Sequence, residues 1–352
     1  EKREDERKEV REQNEEVRID KKRENGEYCL KKKTKKAGEI WKKRKETQTE
    51  KKGEKEKRKR IILSLRGVGE GHISSLTFRV GIITADGTVE LESTSGLANT
   101  PRIRGRTPTL TGEEIDVVFR PEENISGQVI FPLTEAQRNG IEDARFVQFH
   151  DTDRKRFYAT YTAYSGRSIR SELLETEDFK SFRLTPMNGL AARNKGMALF
   201  PRKIDGHFAM IGRQDNENLD LLFSDDIYSW NQGYSLLHPL YPWEFLQMGN
   251  CGSPIELDDY WLLLTHGVGP MRTYAIGAVL LDKLNPARVV ARSREPLLQA
   301  VGPEREGYVP NVVYTCGAIR HGDVLIMPYG VSDTSTRFVT VDIPELLKSL
   351  VG

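Results

Sequence analysis

The chain is 352 residues long, with 54 Lys and Arg against 52 Asp and Glu and three cysteines, Cys29, Cys251 and Cys316. That length allows two domains or one large β architecture, and so few scattered cysteines exclude a disulfide framework or a cysteine-rich metal cluster. The net charge of +2 hides a split: residues 1–60 carry 25 basic and 16 acidic side chains (+9), and the remainder carries 29 and 36 (−7).

Residues 1–59 read as a separate charged arm, helical or disordered. Their sparse apolar residues (Val10, Val17, Ile19, Tyr28, Leu30, Ile40, Trp41) bury too little surface to offset the entropy of ordering. Basic clusters at Lys31–Lys36 and Lys51–Arg60 suggest a polyanion contact, but interspersed glutamates and missing stacking groups argue against nucleic acid. There is no apolar run of membrane-spanning length and no signal pattern, so the expected setting is soluble and cytoplasmic.

From Arg60 the composition turns to strands. Ile61–Arg66 and Ile73–Ile83 are the first two, and Asp86-Gly87 reads as a hairpin turn into Thr88–Glu92. Residues 93–128 read as loop-rich. Val129–Pro132 then leads to Asn139–Arg145 (N-G-I-E-D-A-R), with adjacent carboxylates Glu142 and Asp143 and a guanidinium at Arg145. Regular alternation would put Asp143 and Arg145 on one face of a strand and Glu142 on the other. An acid beside a guanidinium suits a sugar-cleaving site, as proton donor and as cation for an anionic partner, and it equally suits a structural ion pair.

Beyond this stretch a pattern repeats. Short apolar strands ending in a polar residue occur at Lys59–Gly67, Arg156–Ala163, Gly206–Arg213, Asp259–Gly267 and Gly322–Gly330. A turn element, S/T-x-D-apolar-x-x-aromatic, recurs at Thr176–Phe182 and Ser224–Trp230. β-Repeats of this size predict a five-bladed β-propeller over residues 60–352, with a β-sandwich as the rival. In a propeller the strand-end residues Arg66, Thr162, Arg213, His266 and Tyr329 converge on one cationic funnel. The glycine-rich Gly67–Gly71 lacks the lysine and helix of a phosphate-binding P-loop and reads as a tight turn; His72 beside it is open between a substrate contact and a structural role. Trp243 and Trp261 read as core, and no cluster has metal-ligand spacing, so no metal is expected.

From Arg60 onward the chain resembles glycoside hydrolase family 130, the inverting β-mannoside phosphorylases and β-mannosidases. The resemblance rests on G-E-G-H-I-S-S-L-T-F-R (Gly69–Arg79), N-G-I-E-D-A-R-F (Asn139–Phe146), Y-A-T-Y-T-A-Y (Tyr158–Tyr164) and N-K-G-M-A-L-F-P (Asn194–Pro201). It continues through G-N-C-G-S-P-I-E (Gly249–Glu256), L-T-H-G-V (Leu264–Val268), G-Y-V-P-N-V-V-Y-T-C-G (Gly307–Gly317) and P-Y-G-V-S-D (Pro328–Asp333). It implies a five-bladed propeller with Asp143 as proton donor, Ala144 standing where the family has proline. It further implies phosphate binding by Arg170 or Arg167, Lys195 and His266, with Thr265 where tyrosine is frequent. Arg66 and Asp333 match family positions in the first inner strand and in sugar binding. Arg145, Arg213, Asp215, Asn250 and Tyr329 complete the expected substrate contacts.

A phosphorylase needs one acid, because phosphate is already an anionic nucleophile, and needs cations to hold it. An inverting hydrolase needs a second carboxylate about 6.5–9.5 Å away; Glu142, Asp215, Glu217 and Glu256 are the candidates. One acid motif among several cations favours phosphorolysis of a β-mannoside to α-mannose 1-phosphate. Hydrolysis by water is the alternative, and a non-catalytic carbohydrate-binding propeller a further one. The expected partners are an oligosaccharide and inorganic phosphate as co-substrate, with no other cofactor, no nucleic acid and no membrane, and with room for a homo-oligomer.

Overall fold

Alternating apolar and polar residues write this chain as antiparallel strands, and a computed structural model describes residues 58–94, 96–151 and 154–352 in that form. The expectations for the arm lie outside the described residues. The unit Lys59–Gly352 is all-β, in four sheets.

The first sheet takes ten strands. They are β1 (Lys59–Val68), β2 (Ser74–Ile83), β3 (Val89–Leu91), β4 (Arg102–Thr109), β5 (Gly112–Val118), β6 (Val129–Ile130), β7 (Gly140–Asp151), β8 (Arg154–Tyr164), β9 (Ile169–Thr176) and β10 (Ser181–Pro186). Their order is β1-β2-β7-β8-β9-β10-β5-β4, with β3 and β6 also on β2. The β2–β7 junction is a single parallel pair, Ser74↔Gly140, so two antiparallel groups meet at one point. The second sheet is β11 (Ala198–Leu199), β12 (Phe208–Gly212), β13 (Leu219–Ser224) and β14 (Gly233–Leu237), in chain order. The third is β15 (Gln247–Asn250), β16 (Ile255–Glu256), β17 (Tyr260–Val268), β18 (Tyr274–Asp282), β19 (Val289–Arg292) and β20 (Leu298–Gln299), built around the β17–β18 hairpin. The fourth centres β23 (Val324–Val331) among β21 (Val313–Tyr314), β22 (Ile319–His321) and β24 (Ser335–Asp342). A closing helix, α1 (Ile343–Ser349), is capped by Asp342, whose carboxylate accepts the Glu345 amide at 2.8 Å.

The loop-rich stretch 93–128 also holds a hairpin that the sequence did not mark, β4 and β5, which extends the β10 edge. Its pattern hid the strands, since β4 is exposed along almost its whole length and shows no apolar alternation.

The two S/T-x-D turns follow β9 and β13, and the same bonds make them. The Thr176 hydroxyl accepts the Asp178 and Phe179 amides, and the Asp178 carboxylate accepts those of Lys180 and Ser181. Ser224 and Asp226 likewise accept the amides of Asp226 and Tyr228. The aromatic that ends each motif, Phe182 or Trp230, is buried. Core packing lies between successive strand groups: Phe78 with Phe182, Leu173 with Trp230 and Leu222, Leu221 with Trp261, and Leu262 with Leu325. Each such side chain contributes about 1.5–3 kcal/mol on burial, so successive groups are fixed face to face and their strand ends are brought together.

Candidate active site

The β1–β2 and β17–β18 hairpins share one plan. Gly67-Val68-Gly69 and Gly267-Val268-Gly269 each run into a 3-10 turn, Glu70–His72 and Pro270–Arg272. Arg66 pairs with Leu76 and His266 with Ile276, so these two polar residues occupy equivalent register positions.

Asp143 stands where β7 breaks step. Glu142 pairs with Thr162 and pairing resumes at Arg145 with Thr160, which leaves Asp143 and Ala144 opposite Tyr161 alone. This is a β-bulge, and Asp143 takes φ 52, a left-handed conformation that aspartate adopts more readily than most residues. The expected alternation is therefore corrected: the bulge turns Glu142 and Asp143 toward the same partner. Arg66 Nη2 lies 3.0 Å from Glu142 Oε1 and Nη1 lies 3.5 Å from Asp143 Oδ1, while its Nε donates to Ser74 Oγ at 2.8 Å. Burial works against the Arg66 charge, but Asp143, Glu142 and Asp333 outweigh it and raise its pKa. Ala144 and Cys316 line the cleft beside Asp143. Burial pushes the Cys316 thiol up to about 12, so it stays neutral there.

Arg145 points inward. Its Nη1 donates to the Asp143 carbonyl at 2.9 Å and its Nη2 to the Tyr314 hydroxyl at 2.6 Å. Tyr314 stands edge-on to His266, ring centroids 4.9 Å apart, and His266 stacks on Tyr274 at 5.9 Å. Burial, reinforced by the Arg213 and Arg145 charges, holds the His266 pKa well below the usual histidine range, so its imidazole is neutral near pH 7.

Arg213, just past β12, is 5% exposed, and its Nε and Nη1 have no hydrogen-bond partner among the described residues. Its pKa is lowered by burial first, and the Arg145 charge adds to that. Gly249 explains how these groups fit: a Cβ there would lie 2.3 Å from His266 Cε1 and 3.2 Å from Arg213 Nη1. Lys195 enters from the loop before β11, half-buried, and its charge bears on His266. Asn250 secures that loop by donating to the Gly196 and Ile211 carbonyls. Ser171 bonds the Asn194 carbonyl at 3.1 Å from the other side.

Arg66, Asp143, Arg145, Lys195, Arg213 and His266 are thus linked through direct contacts, Tyr314 and mutual charge, with Asn250 as support. Asp333, exposed and at φ 54, acts on Arg66 through its charge. Four expected residues are held by other contacts or stand at a hairpin tip. Arg170 is bound to Glu172, Nε to Oε1 at 2.7 Å, and to the Thr111 carbonyl; it shares a face of β9 with Glu172, opposite Ser171 and the Lys195 loop. Arg167 is exposed at the β8–β9 hairpin tip. Asp215 closes the β12–β13 turn by accepting the Glu217 and Asn218 amides at 2.9 and 2.8 Å. Tyr329 donates to Glu304 at 3.2 Å, in a group with Arg337.

The expectations missed Tyr314, Tyr274 and Ser74. Tyr314 lies within the quoted G-Y-V-P-N-V-V-Y-T-C-G, but nothing local distinguishes it from Tyr308 in the same stretch. Among the described residues no group of three or more His, Cys, Asp or Glu could hold a metal, and no helix is long and apolar enough to cross a membrane.

The all-β scaffold thus brings the Glu142 and Asp143 carboxylates, the Arg66 guanidinium and the buried Arg145 and Arg213 guanidiniums into one region. The chain belongs to glycoside hydrolase family 130: the family model, described as beta-1,4-mannooligosaccharide phosphorylase, matches residues 118–351. The chain is 35% identical over 230 residues to a beta-1,2-mannobiose phosphorylase of Listeria innocua, a match covering 63% of each chain. It is 34% identical over 224 residues to a 1,2-beta-oligomannan phosphorylase of Thermoanaerobacter sp., covering 60% of this chain and 72% of that one. In structure it is similar to the Listeria innocua beta-1,2-mannobiose phosphorylase in its beta-1,2-mannobiose complex, with TM-score 0.58, 25% identity and coverage of 82% and 92% of the two chains. A solved putative glycoside hydrolase from Parabacteroides distasonis has TM-score 0.60 at 17% identity, with coverage of 81% and 83%, a likeness of fold.

Proposed function

We propose that the protein is an inverting phosphorylase of β-mannosides, on a five-bladed propeller whose blades are the β1–β3, β7–β10, β11–β14, β15–β20 and β21–β24 groups. Asp143 protonates the glycosidic oxygen, directly or through a sugar hydroxyl. A phosphate oxygen attacks the anomeric carbon from the opposite face as the bond to the leaving oxygen breaks. The products are α-mannose 1-phosphate and the shortened sugar.

The observation that carries this reading is Arg213, a buried guanidinium with two unpartnered nitrogens beside His266 and within the field of Arg145. Buried charges are normally paired, and a phosphate held there by Arg213, Lys195 and His266 supplies the missing anion. Arg170, the phosphate ligand the family resemblance implied, is already matched by Glu172 and drops from that role. The candidate hydrolytic bases are matched too: Glu142 with Arg66, Glu256 with Arg202 and Lys283 at 3.0 and 2.9 Å, and Asp215 with its own turn. Glu217 is exposed. Phosphorolysis is therefore favoured over hydrolysis.

The test is incubation with β-1,2- and β-1,4-mannobiose, with and without inorganic phosphate. The first substrate follows the names of the two relatives, the second that of the family model. Mannose 1-phosphate formed only with phosphate is expected. Free mannose at equal rates with and without phosphate would mean hydrolysis.

A further inference from the structure

We propose that His72 and Tyr308 form a sugar-stacking platform at the rim of the site, which sets the preference for longer over shorter mannosides. The inference rests on the mannoside reading above and adds a specificity element to it.

The two rings stack at a centroid distance of 5.5 Å and an interplanar angle of 16°, and Tyr308 Oη lies 3.3 Å from His72 Nδ1. Both residues are exposed, Tyr308 by 67%, so the pair presents aromatic surface to solvent instead of filling a core. Each is anchored next to a residue of the site. His72 lies two residues before Ser74, the hydroxyl that receives Arg66 Nε. Tyr308 precedes Val309, whose amide donates to the Ser332 carbonyl at 3.0 Å, and Ser332 precedes Asp333. The platform therefore joins the turn after β1 to the loop before β21, beside Arg66 and Asp333.

The backbone holds this presentation. His72 adopts φ 58 and Gly71 φ 73, which turns the imidazole out of the hairpin toward Tyr308. Among the described residues the rings contact each other and make no hydrogen bond or ring contact with Asp143, so on this proposal they meet a sugar beyond the one at Asp143, not the reacting bond. The apolar C–H face of a pyranose packs on such a ring, and the phenol and imidazole edges offer hydrogen bonds to its hydroxyls. Arg272, the equivalent of His72 in the β17–β18 hairpin, has no such aromatic partner among the described residues, so the stack is particular to this side of the rim.

The test compares wild type with Tyr308→Ala, Tyr308→Phe and His72→Ala on β-mannobiose and β-mannotriose. Tyr308→Ala is expected to raise KM for the triose about tenfold, in line with the loss of one stacking contact. The KM for the biose, the KM for phosphate and kcat should each stay within about twofold, and Tyr308→Phe should keep most triose affinity. Equal losses on both substrates with a lowered Tm would overturn the platform and leave a structural clasp, and so would unchanged triose kinetics. If wild type turns over no mannoside, the function reading fails on its own; calorimetric binding of β-mannotriose to wild type and Tyr308→Ala then decides the platform, equal affinities overturning it.

Discussion

Asp143 occupies a left-handed backbone conformation, and Asn tolerates that region as well as Asp does. Asp143→Asn should therefore keep the bulge and the fold while removing the proton. We expect phosphorolysis to fall about 10³-fold with Tm nearly unchanged. An activated aryl β-mannoside, whose leaving group needs little protonation, should lose far less. A full loss on both substrates would assign Asp143 a binding role. Arg213 gives a second prediction. Its charge is buried without a carboxylate partner among the described residues, so Arg213→Met should raise the Tm measured without phosphate, in line with a stability gain of about 1–4 kcal/mol. Wild type should be stabilised by added phosphate through mass action, and the variant should lose that response. A wild-type melting curve indifferent to phosphate would remove Arg213 from the anion site.

At the scale of elements, the bulge in β7 and the glycine in β15 do complementary things. The bulge adds a residue, so that two adjacent carboxylates reach one arginine. Gly249 removes a side chain, so that His266 and Arg213 can lie against the backbone. Gly249→Ala should push both groups aside, since a Cβ would sit 2.7 Å from His266 Nε2. We expect the phosphate KM to rise at least about tenfold, because displacements of about 1 Å at a site have large effects, with a smaller change in mannoside KM. Steady-state kinetics with each substrate varied in turn will show the split; an equal rise in both would mean general disruption. The repeated S/T-x-D turns were legible from sequence because their bonds are local, side chain to backbone within a few residues. The β4–β5 hairpin was not, because an exposed edge strand carries no apolar pattern.

At the scale of the whole molecule, the site's histidine is tied to global stability. His266 has its pKa lowered in the fold, so between that value and the unfolded value of about 6.5 the unfolded chain binds more protons. Stability is then fully present above about pH 6.5 and is lost as pH falls through the folded pKa. Melting curves should show Tm dropping from pH 7 toward pH 5. His266→Gln should flatten that part of the profile, and an unaltered slope would assign the acid sensitivity to other groups.

The proposed proton donor, Asp143, came from the family resemblance; the sequence by itself determined the β class, the S/T-x-D turns and the equivalence of Arg66 with His266, because each depends on periodicity or on bonds between near neighbours. It also supplied most of the cations. Only the tertiary structure decided which cations stand near Asp143 and His266. Arg170 and Arg213 are both arginines near a strand end. A buried glutamate two residues away takes up the first, and packing leaves Nε and Nη1 of the second with no hydrogen-bond partner among the described residues. Tyr314, drawn in by Arg145 from 169 residues away, belongs to the same class. Such choices depend on which strand groups pack face to face, and that is fixed by the cores between the sheets, not by any residue's own neighbourhood in the chain.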